Sequence, residues 1–479
     1  MKFNKRLKRQ TGKPDTTNFA GGQAHSQSDK LELITIMLTS FLENQFYRKG
    51  DEAANRLVEL INRIPDKRFV ARAALYARRE AGMRSVSHLV AGEIAHAVKG
   101  EQWTKEFFER IVFRADDVLE ILAYYIAVYG KPLPNSLKKG LGSALTKFDA
   151  YQLAKYRRDS AELKMVDAVN LLHPPHSEAL RQLVDGTLVP AETWEAKLTE
   201  AGQTAKSDRE KDSNKAQVWS KLVRERKIGY FALIRNLRNI LEQAPQLTNE
   251  VAELLMDRKL IRKSMVLPFR YRVALDALEA SGGERGKRQK VIRALNKAVD
   301  RSLSNVPRFP GRTLIAMDCS GSMLGKPMKI GSLFASVLYK VNDADLMLFS
   351  GEARFASFNS DDGTLSLAQR IEEKAEWSGT NFHAVFQRAN QAYDRIVILS
   401  DMQAWMGHWT PKDAFDRYVA KVGKRPRVYS FDLAGYGTLQ FPEKEVYALA
   451  GFSDKTMGIM KSLERDKRAL VREIESIEL

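Results

Sequence analysis

Five oxygen-bearing side chains stand out by type and position. Asp318, Ser320 and Ser322 form an Asp-x-Ser-x-Ser run directly after the apolar stretch Thr313 to Met317. Thr380 follows 62 residues beyond Asp318 in Ser378-Gly379-Thr380-Asn381, and Asp401 closes a second apolar stretch, Ile396 to Ser400. Two carboxylates and three hydroxyls make a hard, all-oxygen donor set that suits a six-coordinate Mg2+ or Mn2+ keeping waters or an open position. The set offers no thiolate or imidazole to favour zinc. One such run alone is ordinary turn chemistry; three oxygen-bearing loops converging on one rim read as a metal site. Covalent catalysis is poorly served. Cys319 sits among these residues, but the x position of the pattern points away from a metal. The segment after residue 305 holds only two histidines, His383 and His408, and Ser320 lies in no Gly-x-Ser-x-Gly turn. The sequence predicts no enzyme.

The elements that must position these residues follow from hydrophobic patterning. Short continuous apolar runs at 313–317, 345–349, 395–399 and 427–431 alternate with helical stretches such as Leu333 to Val341 and Ala384 to Tyr393. This is the signature of a parallel sheet covered on both faces, in which ligands collect at the carboxyl ends of the strands. Residues 306–479 therefore read as a doubly wound α/β domain. Residues 21–305 read as all-α, with apolar residues at i, i+3, i+4 and i+7 in segments such as Leu31 to Phe46, Ala53 to Ile64, Phe69 to Ala81 and Val251 to Leu260. Successive short-linked helices with a degenerate period of about 40 residues point to a HEAT-type solenoid rather than one bundle. Residues 201–216, AGQTAKSDREKDSNKA, contain no large apolar side chain and read as a loop insertion, and residues 1–20 as a basic flexible arm.

The charge is unevenly distributed between these parts. The 479 residues carry 77 Lys and Arg against 59 Asp and Glu, a net +18. Residues 306–479 hold 23 basic and 22 acidic residues, which leaves 54 basic and 37 acidic in the first 305, or +17. A folded region with that surplus calls for a polyanion or counterions, which points to nucleic acid ahead of an anionic membrane surface. Lys138 and Lys139, Lys155 with Arg157 and Arg158, and Arg235 with Arg238 are the candidate phosphate contacts, several at the i,i+3 spacing that shares a helix face. The plain alternative for each is a solvated helix face. Tyr151 and Tyr156 nearby have two readings, core or stacking platform. A single cysteine excludes an intramolecular disulfide framework and a Cys-cluster zinc site. The basic N-terminus lacks the apolar segment of a secretory signal, and the longest apolar stretch, Val118 to Tyr129, falls short of a membrane span. A cytoplasmic location and no membrane partner are expected.

The Asp-x-Ser-x-Ser, Thr and Asp loops resemble the metal-ion-dependent adhesion site of a von Willebrand factor A domain. That resemblance places Ser320, Ser322 and Thr380 in direct contact with the metal and Asp318 and Asp401 in contact directly or through water, with a vacant position for a partner's carboxylate. The helical part is similar to the TROVE domain of the Ro autoantigen family in several segments. These are Leu133 to Gly140, Phe148 to Arg157, Asp167 to Pro174, Ala232 to Asn239 and Leu267 to Arg270, and the likeness spans roughly Gly21 to Ile477. It implies helical repeats closed into a ring, followed by the A domain. It also implies a noncatalytic scaffold that binds small structured Y-like noncoding RNA on the outer face, through Lys155, Arg157 or Arg158, and His173. Single-stranded ends of misfolded RNA would enter the hole, in noncoding-RNA quality control or decay. The implied partners are RNA and an exoribonuclease or other protein, with a monomeric protein component. The rival reading is a metal-dependent protein-adhesion module whose charge is incidental. RNA affinity should fall steeply with salt, whereas adhesion through the metal should be abolished by chelator.

Overall fold

The strands, in chain order, are β1 (Thr16–Thr17), β2 (Gln23–Ser26), β3 (Thr313–Asp318), β4 (Asp345–Phe349), β5 (Ala353–Ala356), β6 (Arg395–Ser400), β7 (Arg427–Asp432), β8 (Thr438–Leu439) and β9 (Tyr447–Leu449). The structure, a computed structural model, describes residues 14–39, 49–156, 162–189, 194–264, 266, 268–282, 284–303, 306, 308–342, 344–359, 361–406, 410–442, 446–449, 460 and 469–479. Its contacts divide the chain into two units, one joining the residues up to Ala53 with Asn305–Ala469, the other joining Ala54–Ser304 with Leu470–Leu479.

The first unit is built on a six-stranded sheet of order β5-β4-β3-β6-β7-β9, in which only the edge strand β5 runs antiparallel. β3 and β6 are buried along their whole length, as unbroken apolar runs require when both faces are covered. Alternate residues divide between those faces. Leu314 and Ala316 of β3, Met347 and Phe349 of β4 and Ile396 and Ile398 of β6 share one core with Phe382, Phe386, Phe415 and Tyr418 from the helices Phe382–Arg388 and Pro411–Val422. On the other face Met317 meets Gly331 of the helix Lys326–Asn342, where a Cβ would stand 2.6 Å from the methionine Cε, so any larger residue there would require the Met317 side chain to shift. The helix read as starting at Leu333 is therefore longer, and the one read as running to Tyr393 stops at Arg388.

Two sequence-based boundaries differ from this arrangement. Residues 1–13 of the basic arm lie outside the described residues, but the remainder of the arm is structured. β1 pairs antiparallel with β2, β2 pairs with β8, and the Asp15 carboxylate accepts both the N–H and the hydroxyl of Ser26, at 2.8 and 2.6 Å. The helix Asp29–Thr39, counted with the helical half from sequence, groups with the α/β unit, and residues 40–46 of that predicted helix lie outside the described residues. The loop expected at 201–216 is also corrected: it is mostly helical, as Trp194–Gln203 and Asp208–Arg224 joined by a short turn. Ser207 caps the second helix by accepting the Glu210 N–H, and its Lys, Glu, Asp and Arg side chains are tolerated because the helix is anchored further along. There Trp219 is fully buried and donates to Gln243 Oε1 at 2.8 Å.

The second unit is a run of helices packed mostly on neighbours one to three places away in sequence. Trp103–Ile111 packs on Asn135–Leu145, Ser85–Ala97 on Ala115–Tyr129, and Thr248–Leu255 on Arg285–Ser302. This connectivity is that of a helical repeat array. Its own end is tied in by chain residues from the far C-terminus: Arg72 Nε donates to the Ile477 carbonyl at 2.8 Å and Arg110 to that of Glu478 at 3.0 Å.

Candidate functional site

The proposed metal ligands converge at the carboxyl ends of β3 and β6, where strand order reverses on either side of β3 and ligands of open α/β sheets bind. Backbone bonds staple the three loops together. The Gly321 N–H donates to the Ser378 carbonyl at 3.0 Å, Trp377 N–H to Cys319 at 3.0 Å, and Asn381 N–H to Ser350 at 2.8 Å. Asn381 then caps the helix Phe382–Arg388 by accepting the His383 N–H at 3.1 Å, which sets Thr380 at the helix entry. Asp318, Ser320, Ser322, Thr380 and Asp401 are all buried. Asp318 Oδ1 accepts the Ser320 N–H at 2.9 Å and Oδ2 the Ser400 hydroxyl at 2.5 Å, while the Ser320 and Ser322 hydroxyl oxygens lie 3.4 Å apart. Asp401 Oδ1 accepts the Gln403 N–H at 3.2 Å, but Oδ2 is buried with no hydrogen-bond partner.

An orphaned buried carboxylate oxygen is costly. Burial drives the Asp318 and Asp401 carboxyls above the usual carboxylate range, and the Asp318 charge adds to the rise at Asp401. A divalent cation would satisfy the free oxygen and offset both charges, so the residues present fit the ion that the sequence points to. Among the described residues no group of three or more His, Cys, Asp or Glu is placed to hold a metal, so an ion here needs the hydroxyls.

The structure adds residues that the sequence reading left out. Ser400 fixes Asp318, and Asp432, at the end of β7, presents a third buried carboxylate whose charge also raises Asp401; its Oδ1 accepts the N–H groups of Ala434 and Gly435 at 3.0 and 2.6 Å. The loop after Asp401 is braced from the N-terminal segment. The Asn18 amide donates to the Ala404 carbonyl at 2.6 Å, the Phe19 N–H donates to Gln403 Oε1 at 2.7 Å, and at Gly22 a Cβ would stand 2.0 Å from the Ala404 oxygen. Cys319 is buried and its thiol is pushed up to about 12 by that burial, which leaves no thiolate for nucleophilic chemistry. The His383 ring is tied to Asn381 Oδ1 at 3.3 Å, and His408 lies outside the described residues.

The predicted phosphate contacts divide into two groups. Lys138 and Lys139, half-buried and exposed, ride on Asn135–Leu145, which packs on Met165–Leu172; His173 is the exposed left-handed C-cap of the latter, with φ 47°. Lys155 is exposed at the end of Ala150–Lys155, which meets Glu178–Val184, and that helix meets Met165–Leu172 in turn. These four residues thus lie on contiguous elements. The helix stops at Lys155, with Tyr156 as its cap, and the other two members of the expected basic face, Arg157 and Arg158, lie outside the described residues. Arg235 and Arg238 are both exposed but stand on two helices, Tyr230–Arg235 and Leu237–Gln243, because Asn236 interrupts the run. Tyr151 is 48% exposed rather than core, and Tyr156 is half-buried beneath the Arg114 guanidinium.

With this arrangement in place, the class of the molecule is set: a helical repeat array combined with a von Willebrand factor A-like α/β unit. The TROVE domain model matches residues 23–208 and 187–319, and the chain belongs to the TROVE domain family. It is similar to the RNA-binding protein RO60 of Deinococcus radiodurans, 24% identical over 94% of this chain and 95% of that one. It is also similar to telomerase protein component 1 of Rattus norvegicus, 21% identical over 53% of this chain; the alignment spans 13% of that much longer relative. In fold it matches the crystal structure of the Deinococcus radiodurans RO (RSR) protein with a TM-score of 0.60 at 20% identity, covering 90% of this chain and 99% of that one. No helix among the described residues is long and apolar enough to cross a membrane.

Proposed function

We propose that this protein is a noncatalytic RNA-binding scaffold. It takes small structured, Y-like noncoding RNA and the single-stranded ends of misfolded RNA, and it serves noncoding-RNA quality control or decay. The observation that carries this reading is the exposed set Lys139, Lys155 and His173, with half-buried Lys138, on contiguous helices of a region that holds nearly all the net charge. Membership of the TROVE family and likeness to a protein named as RNA-binding support it. Phosphates in a structured RNA are spaced regularly enough to meet such cations, and their neutralisation releases counterions. The α/β unit has a separate task. Asp318, Ser320, Ser322, Thr380 and Asp401 would hold Mg2+ or Mn2+, and the bound ion would supply a Lewis-acidic position for a carboxylate of a protein partner, such as an exoribonuclease. Buried Cys319 and the capped His383 leave the site without a nucleophile and base, in keeping with a binding role. RNA affinity of the full chain measured against salt, with and without chelator, tests the division. Affinity should fall steeply with salt and ignore chelator; a chelator-dependent RNA affinity would overturn it.

A further inference from the structure

Phe113 is 44% exposed, in the link between Trp103–Ile111 and Ala115–Tyr129, yet its backbone is firmly held. The N–H groups of Phe113 and Arg114 both donate to Asp117 Oδ2, at 3.0 and 2.9 Å. Asp117 is fully buried and is further bonded by Arg78 at 2.8 Å, Arg84 at 2.9 Å and His88 at 2.9 Å. Burial alone would raise its pKa, but the hydrogen bonds from His88 and Arg78 and their charges hold the carboxyl well below the usual range. The anchor beneath Phe113 is therefore a fixed anion at neutral pH.

Cations lie at the Phe113 ring and at the Tyr156 ring reached by Arg114, the next residue in the chain. The guanidinium carbons of Arg78 and Arg79 lie 5.0 and 5.6 Å from the Phe113 centroid. Arg114, held to Asp116 at 2.8 and 3.0 Å, lies 4.4 Å over the Tyr156 ring, and Lys155 Nζ lies 5.6 Å from the same ring. Three guanidiniums, Arg78, Arg84 and Arg114, share the two carboxylates Asp116 and Asp117, and Arg79 and Lys155 add to the surplus. An exposed aromatic with two guanidiniums at its ring, and with two further cations at the Tyr156 ring, the adjoining Arg114 among them, has the features of a site that stacks a flat π-face while attracting the anion attached to it.

We propose that Phe113 is a stacking platform for an unpaired nucleobase, with the adjoining phosphates taken by Arg79 and Lys155. The inference rests on the RNA-binding reading above and deepens it, because a platform of this kind selects single-stranded segments: in a duplex the base faces are already covered.

The test uses the full chain with Phe113→Ala and Phe113→Trp, titrated with oligoadenylate carrying one 2-aminopurine and with a fully paired RNA of the same length. Loss of the aromatic ring should lower oligoadenylate affinity by roughly five- to one-hundredfold and abolish the 2-aminopurine quenching, with Trp restoring both. The salt slope should stay unchanged, since no charge is removed, and binding of the paired RNA should hold. Unchanged oligoadenylate affinity in Phe113→Ala, an equal loss on both RNAs, or preference for an acidic peptide over either RNA would overturn the platform. A wild-type chain that binds neither RNA would instead overturn the RNA-binding reading itself.

Discussion

Loss of Asp117 should cost the helical unit heavily, because one buried carboxylate serves Arg78, Arg84, His88 and two backbone N–H groups. Replacing it with Asn leaves Arg78, whose side chain is only 9% exposed, without its counter-ion, and breaking such a buried pair costs about 3–5 kcal/mol. The same residue sets an acid limit. Its native pKa lies below the unfolded value of about 3.9, so the stability it contributes is complete above that value and is lost as pH falls toward the native one. The difference in thermal midpoint between the wild type and Asp117→Asn, followed by circular dichroism, should be constant between neutral pH and about 5 and shrink below about 4, so that the variant has the shallower acid slope. An unchanged acid slope in the variant would assign the effect to another carboxylate. At the metal site, Asp318→Ala should abolish Mn2+ binding in a calorimetric titration while leaving metal-free stability equal or higher, because the two raised carboxyls repel each other. Unchanged Mn2+ affinity would sink the ligand assignment. The five proposed metal ligands could be picked out together because each follows an apolar run or precedes a helix. Asp432 was missed because no hydroxyl pattern accompanies it and its strand was read one residue short. Phe113 was missed because an exposed phenylalanine is written with the same letter as a buried one.

Among the elements, the capped helix Asp208–Arg224 and the brace on the metal loop give the sharpest expectations. Ser207→Ala removes the acceptor of the Glu210 N–H and should cost about 1 kcal/mol, read from denaturant midpoints. Gly22→Ala drives a methyl into the Ala404 carbonyl and should cost about 1–3 kcal/mol while weakening Mn2+ affinity, since the displaced loop begins at Asp401. Retained affinity together with the stability loss would show that the brace does not position the metal loop. The four long central strands were readable because burial on both faces leaves only apolar residues. β5, with a half-exposed and exposed burial pattern, and the two-residue strands β1 and β8 carry no such periodicity, since tertiary pairing alone selects them. The helix at 208–216 eluded the pattern for a different reason: its apolar anchor, Trp219, lies beyond the polar window that looked like a loop.

For the whole molecule, the charge division predicts how salt and metal act separately. Lys155→Ala should reduce the slope of log affinity for structured RNA against log salt by up to about one unit, whereas Asp318→Ala should leave that slope alone. Equal effects of the two variants would mean that RNA reaches the metal face. Neither unit is a continuous stretch of chain: β2 completes its pairing only with β8, and Arg72 meets Ile477. About 400 residues separate β2 from β8. At the ~5–20 residues per second of protein synthesis, β2 waits roughly 20–80 seconds on the ribosome for β8, its second partner, to be made. Each unit must hold an unfinished edge through such an interval, until β8 and the segment around Ile477 are made.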